Sequence, residues 1–462
     1  MDLEFVRPLL KYIPEVEIPK KRVPLKDKLI WTGVILIIFF VMGLVRPYGL
    51  ETGALPAVFE QMQVIFASQM GSIISLGIGP IVTASIVLQL MVGTKMIDID
   101  LTKNEGKALF QGTQKLLVII VSFFETTALV YGLGMVSESS FALFIIFQIA
   151  LGSILLMFMD EVVSKWGIGS GIGLFIAAGV SQEVVTRIIN ILPTGGGGFA
   201  GLIPTFLQNL ADGHFNLILL FPILATIIVF LVVAYGESMR LEIPVSYGNI
   251  SRFGTKHPLK FFYVSVIPVI LAAAVLANVT LFAGVFGITD PNTGSLYLPY
   301  DASIVQTVVY HVSNSITLGE LRGILSPDQI TRIFDPMILI HALIYTTVFV
   351  GLCIVFGKFW VETTNIGSEN VAEQIHRTGM QIPGYRKDKR IVKKVLDKYI
   401  PQITIISSIA IGLLAVGSDL IGTLSSGTGI LLTVGILYRL YEELQREQMA
   451  EMHPSLRRFL GQ

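Results

Sequence analysis

The sequence predicts an all-α multi-span membrane protein with ten transmembrane helices, and three observations carry that prediction. The chain of 462 residues is 53% hydrophobic and only 14% charged, with a mean hydropathy of +0.72. A water-soluble protein of this size needs far more polar surface to cover it. Ten stretches are long and apolar enough to reside in lipid, near 29–48, 72–93, 109–132, 139–159, 170–192, 215–236, 261–284, 336–357, 401–421 and 428–444. With the N-terminus in the cytoplasm, 29 of the 33 Lys and Arg residues fall on the inner side, and Arg46, Arg187, Arg322 and Arg332 on the outer. That asymmetry fixes orientation by the positive-inside rule.

Each span follows from the same arithmetic. A crossing helix needs roughly 20 apolar residues. Lys28 and Arg46 bracket one uncharged run, and Gln61 to Thr94 is a second, too long for one helix. None of the segments shows the short alternating pattern of a membrane β-barrel. About 28 mostly polar residues precede the first apolar run, unlike the short basic start of a cleavable signal. Phe5, Leu9, Leu10 and Ile13 are spaced for a short amphipathic helix on the membrane surface. The single cysteine, Cys353, lies in a span, which leaves neither an internal disulfide nor a thiolate metal cluster.

Glycine and proline punctuate the spans. Pro80 lies in LGIGPIVTA, Pro268 in IPVILAAAVLAN, and Gly167, Gly169, Gly171 and Gly173 alternate in GIGSGIGLFIAAG. The prolines are expected to kink their helices, and the glycines to let backbones approach closely. The glycine run is no nucleotide site, because no GxGxxG follows a strand and no GKS or GKT is present. Ile78 and Val82, like Ile172 and Ile176, are four residues apart, which places each pair on one helix face. Such aliphatic pairs, set among glycines, suit a water-excluding constriction.

Residues 55–66 read as a short amphipathic helix opened by Pro56. Val58, Phe59, Met62, Ile65 and Phe66 form one stripe, with Glu60, Gln61 and Gln63 opposite. Two readings fit, an interfacial helix or a re-entrant piece sheltered by protein. Basic charge concentrates in two inner loops. Loop 237–260 carries Arg240, Arg252, Lys256, His257 and Lys260; loop 358–398 carries Arg377, Arg386, Lys387, Lys389, Arg390, Lys393, Lys394 and Lys398. They read either as ordinary positive-inside charge or as a docking surface for a polyanion.

LGIGPIVTA (76–84), FQGTQKLL (110–117), GIGSGIGLFIAAG (167–179), RLEIPVSYG (240–248), IPVILAAAVLAN (267–278), FWVETT (359–364) and GTGILLTVGILYRLYEEL (427–444) occur together over nearly the whole chain. In these strings the chain resembles the SecY family, the channel-forming subunit of the Sec protein translocon, and the resemblance is to the archaeal and eukaryotic branch. It implies a protein-conducting channel with two inverted, pseudo-symmetric halves around an hourglass pore. Residues 1–28 would be the cytosolic N-terminal segment, 29–192 the first half, 193–214 an external loop, 215–444 the second half and 445–462 a cytosolic tail. The implied pore ring is Ile78, Val82, Ile172, Ile176, Ile270 and Leu432. The implied plug is the helix at 55–66, with Leu55, Pro56, Ala57, Val58, Phe59, Met62, Ile65 and Phe66. A lateral gate between spans 2 and 3 and spans 7 and 8 would carry Thr83, Glu125 and Asn278. Arg240, Arg252, Lys256, Arg386, Lys387, Lys389 and Arg390 would meet the ribosome or a motor ATPase.

The resemblance further implies a SecE-type gamma subunit, a small beta subunit, the ribosome, a nascent polypeptide with its signal sequence, and membrane lipid as partners. A cytosolic motor or other Sec accessory protein is a further partner it allows. It implies no cofactor, no metal and no catalytic residue, and a multi-pass location in a prokaryotic plasma membrane with both termini cytoplasmic. A secondary transporter of a small solute is the alternative, since broken helices suit one. Against it, Glu125 stands nearly alone at mid-depth and the predicted waist is aliphatic. An intramembrane zinc protease is disfavoured because no HExxH is present. The loops 193–214 and 285–335 match no feature used above, and both are expected on the outer face.

Overall fold

The computed structural model describes residues 7–10, 12–50, 67–93, 96–97, 99, 104–132, 139–193, 198–213, 215, 217–247, 254–264, 266–283, 303–313, 336–364, 366–377, 380–381 and 389–452. A short turn of helix, α1 (Arg7–Leu10), precedes α2 (Leu25–Leu44), α3 (Gly79–Gly93), α4 (Asn104–Gly132), α5 (Ser139–Trp166) and α6 (Gly171–Ile189). An outer helix α7 (Leu202–Ala211) leads to α8 (Phe221–Ser238) and α9 (Ile267–Ala283). A second outer helix α10 (Ile304–Ser313) follows, then α11 (Pro336–Thr363), the cytosolic α12 (Ser368–Arg377), α13 (Lys389–Ile421) and α14 (Gly427–Met452). Each of the ten predicted spans is thus occupied by a helix. Seven of them, α2, α4, α5, α6, α8, α11 and α13, are long and apolar enough to cross a bilayer alone.

The other three fall short for physical reasons. Helix α14 carries Arg439, Glu442 and Glu443 near its cytosolic end. Helices α3 and α9 have only 15 and 17 residues, about 22–26 Å at 1.5 Å per residue, against a hydrocarbon core of about 30 Å. Here the sequence expectation needs correction. Pro80 and Pro268 do not kink long helices; each stands second in its helix and starts it. A missing N–H costs nothing there, because the first N–H groups of a helix have no partner in any case. The preceding stretch 72–78 forms turns rather than helix. It stays inside protein, where Ile74, Leu76 and Ile78 are buried. Its polar groups are satisfied locally: Ser72 Oγ donates to Gln69 O at 2.6 Å, and Ser75 Oγ accepts from Gly71 N at 3.1 Å. Irregular backbone is tolerated at membrane depth when protein supplies such partners.

Five spans per half force the second half to enter the membrane from the opposite side, so the halves are inverted. Two local devices recur at matching positions. The second helix of each half, α3 and α9, is short and opens on a proline. The fifth helix of each half is capped by an aspartate on the fourth. Asp160 on α5 accepts from Ile172 N at 2.9 Å, and Asp419 on α13 accepts from Gly427 N at 2.5 Å. Both junctions demand glycine. A Cβ on Gly171 would come within 2.5 Å of the Asp160 Cα, and one on Gly427 within 2.4 Å of the Asp419 amide nitrogen. A side-chain carboxylate at a helix N-terminus accepts orphan N–H groups and meets the positive end of the dipole.

One contiguous apolar core runs through α2 to α6, α8, α9, α11, α13 and α14. On the cytosolic side, Leu259, Val264, Val361, Val371, Ala372, Ile375, Val392, Leu396 and Ile400 form a second cluster. There the two basic loops meet in a three-stranded sheet. Strand β1 (Arg240–Tyr247) pairs antiparallel with β2 (Gly254–Lys260) from Arg240↔Lys260 to Ser246↔Gly254. On its other edge β1 takes β3 (Met380–Gln381) through Ser246↔Gln381. The N-terminal segment straps this face. Lys165 Nζ donates to Val16 O at 2.5 Å, Trp166 Nε1 donates to Glu17 O at 2.9 Å, and Glu447 accepts from Arg22 at 2.5 Å and Lys28 at 2.9 Å. Partial burial opposes ionisation of Glu447, but the hydrogen bonds and charges of Lys28 and Arg22 outweigh it and hold its carboxyl below the usual range.

Candidate functional site

The predicted ring residues come from the turn before α3 and from α3, α6, α9 and α14, and each lies in or against the main apolar core. Ile78 is the residue just before α3, and its carbonyl accepts from Val82 N at 3.1 Å. The i to i+4 relation therefore holds even though Ile78 lies outside the helix proper. Ile172 and Ile176 lie in the first turns of α6, positioned by Asp160 through the Ile172 amide. Ile270 stands in the first turn of α9, where its N–H reaches Val266 O at 3.2 Å, and Leu432 lies in the second turn of α14. Ile78, Val82, Ile176, Ile270 and Leu432 are all buried in the main core, and Ile172 packs against it half-buried. Close approach around them depends on glycine: a Cβ on Gly435 would meet Val266 Cγ1 at 2.6 Å.

Beside this apolar waist lies a polar trio contributed by α3, α4 and α9, which pack on one another. Asn278 Nδ2 donates to Thr83 Oγ1 at 2.9 Å. Glu125 is buried, 3% exposed, and lies against Thr83. Neither carboxyl oxygen makes a hydrogen bond of full geometry, and Asn278 Oδ1 is likewise unpartnered. Sequence reasoning grouped these three through the family resemblance. It missed Gln114, whose Nε2 donates to Ser85 Oγ at 2.7 Å and stitches α4 to α3. Its place in the string FQGTQKLL was the available signal.

On the cytosolic face, Arg240 is half-exposed and pairs with Glu442 of α14 at 3.3 Å, while Lys260 reaches the same carboxylate at 2.5 Å. Lys260 also sits 5.6 Å from the Tyr438 ring centroid. Glu442 was not singled out from sequence; its place one turn after Tyr438 on the same helix face was the signal. Arg390 is exposed on α13. Lys256 lies on β2 and Lys389 opens α13, but their side chains are outside the described residues. Arg252, Arg386 and Lys387 are outside them altogether, as are the plug residues Leu55, Pro56, Ala57, Val58, Phe59, Met62, Ile65 and Phe66.

On the outer side, a cavity of about 560 Å³ opens between α2, the 67–71 turn and α6, lined in part by Phe39, Arg46, Gln69, Gln182 and Arg187. Gln69 Nε2 donates to Gln182 Oε1 at 3.0 Å. One outer contact ties the halves together, Ser425 Oγ donating to Glu183 Oε2 at 2.6 Å; within the second half, Leu424 N donates to Thr226 Oγ1 at 2.9 Å. None of these was read from sequence, because they join residues up to 242 positions apart.

The SecY family model matches residues 72–441, a stretch that contains the whole waist and the polar trio. The chain belongs to the SecY family. The protein translocase subunit SecY of Methanothermobacter thermautotrophicus is 46% identical over 99% of both chains. A solved SecY structure, described as one in which the plug domain stabilises the closed state of the translocation channel and maintains a membrane seal, superposes with a TM-score of 0.80. It is 41% identical and covers 98% of this chain and 99% of its own. Sec61 in a canine ribosome–channel complex from the endoplasmic reticulum is 40% identical, with a TM-score of 0.79, and covers 98% of this chain and 99% of its own. These SecY-family structures share the ten-helix plan described above.

Proposed function

We propose that this chain is the channel-forming subunit of a Sec translocon in a prokaryotic plasma membrane, conducting unfolded polypeptides across it and releasing transmembrane segments sideways into lipid. What supports the reading is that Ile78, Val82, Ile176, Ile270 and Leu432, from both halves, lie in one apolar core with Ile172 packed against it. A translocating chain presents every kind of side chain, so its conduit gains nothing from specific chemistry. An aliphatic collar excludes water and ions when closed and yields to varied shapes when open. Residues 55–66 are the plug in this reading.

The Thr83–Asn278 bond with Glu125 beside it sits where α3 and α4 meet α9, which is the lateral gate in this reading. Opening the gate exchanges that bond for contact with an inserting apolar segment. The hydrogen bond is worth about 0.5–1.5 kcal/mol, enough to set a threshold for signal hydrophobicity without locking the gate. Arg240, Arg252, Lys256, Arg386, Lys387, Lys389 and Arg390 form the cytosolic docking surface. The ribosome or a motor ATPase binds there, a SecE-type gamma and a small beta subunit complete the complex, and the chain itself performs no catalysis.

Site-specific crosslinking tests the reading. Cys353, the only cysteine, is buried, so a cysteine at Ile78 or Ile176 supplies the reactive thiol. An arrested nascent chain should crosslink at both positions, and weakly at the lipid-facing Ile37, which is 65% exposed. Equal crosslinking at all three positions contradicts a conduit through the waist.

A further inference from the structure

The histidines offer an observation that the channel reading does not use. His311 on the outer helix α10 and His341 in the first turns of α11 face each other, with Nδ1 to Nδ1 at 3.1 Å and ring centroids 4.9 Å apart. Tyr310 packs edge-on against both rings, at 5.3 Å from His311 and 5.2 Å from His341, and holds their orientation. His341 is 4% exposed while His311 is half-buried, so the pair is walled on one side and reachable from the other. Helix α10 packs on both α9 and α11.

We propose that His311 and His341 form a binding site for a divalent transition-metal ion of the zinc, copper or nickel class, on the outer face beside α9 and α11. In a tetrahedral site with metal–nitrogen bonds of about 2.0–2.1 Å, two nitrogens lie about 3.3 Å apart. Cis ligands in a square-planar site lie about 2.9 Å apart at the same bond length. The observed 3.1 Å falls between the two, so a few tenths of an ångström of ring movement admits either geometry. The two Nδ1 atoms face each other at hydrogen-bond distance, and a bound ion takes the place of the proton between them. Imidazole nitrogen is a preferred donor for this class of metal. Among the described residues no third His, Cys, Asp or Glu completes a cluster, so solvent fills the open positions. A bound ion staples α10 to α11 and restrains the outer end of the gate flank.

The test uses the complete complex in lipid nanodiscs with Co²⁺ as a spectroscopic probe. Wild type should show one tetrahedral or otherwise nitrogen-ligated Co²⁺ signal per chain, displaced by Zn²⁺. His311→Ala should weaken it at least tenfold, and His311→Cys, which restores a ligand, should recover binding with a thiolate charge-transfer band. His311 sits on a short outer helix, so these variants leave the spans intact. A signal unchanged in His311→Ala assigns the metal elsewhere and overturns the proposal. So does the absence of any site-specific signal in wild type. Neither result bears on polypeptide conduction, so the proposal and the channel reading fail separately.

Discussion

The waist and the polar trio lie side by side in the same core, yet they are built on opposite principles. The six proposed waist side chains are all aliphatic and lie in or against the main core. At the flank three polar side chains meet, and the only full hydrogen bond among them is Asn278 to Thr83. The difference teaches how one protein can be indiscriminate along one path and selective along another. Apolar packing is non-directional and tolerates any passing side chain. A buried polar cluster is costly to disrupt or leave unpaired, so it discriminates.

The comparison can be broken most severely at the waist. Ile176→Lys places an ammonium at a position with 0% exposure, where the effective penalty for an unpaired charge is several kcal/mol. The variant should conduct ions at rest or fail to accumulate, and bilayer recordings with expression level report which. A silent, stable Ile176→Lys would mean that this position does not line the constriction. Smaller in effect, Asn278→Leu removes the donor of the Thr83 bond while keeping the branched shape of the side chain. Translocation of marginally hydrophobic signals should change several-fold, and strong signals should not. An unchanged dependence on signal hydrophobicity removes Asn278 from the gate.

The cytosolic surface gives a third, still smaller effect. Arg240→Glu together with Arg386→Glu should weaken ribosome binding and flatten its salt dependence. Equal binding at moderate salt counts against a docking role. Least of all, Ile176→Val should cost about 0.5–1.5 kcal/mol of stability and leave conduction unchanged, since one aliphatic residue replaces another. A clear change in conductance from so mild a substitution would show that the waist reads shape more closely than an aliphatic collar should.

What the sequence made legible follows the same division. The ten spans and their orientation came from composition and from Lys and Arg placement, which act through bulk solvation and need no partner to be known. The ring and the polar trio came from strings that resemble one family; the ring residues lie in or against the main core, and Asn278 bonds Thr83. Pro80 and Pro268 were misread because periodicity does not distinguish a proline inside a helix from one that opens it. The segment 72–78 is apolar enough for helix, yet it forms turns because Ser72 and Ser75 satisfy its backbone. The caps by Asp160 and Asp419 stayed invisible, since the partner amides lie 12 and 8 residues onward across a turn. They carry the clearest trace of the inverted repeat. Glu442 and Glu183 were missed for the same reason, as their partners are distant in sequence.

Ion conductance across planar bilayers tests the central claim most directly, comparing wild type with a variant lacking 57–66. A sealed aliphatic waist with a plug predicts a silent wild type and a deletion variant that opens in transient, leaky events. A wild type that conducts ions steadily at rest would contradict the account, because a closed aliphatic collar excludes water and ions.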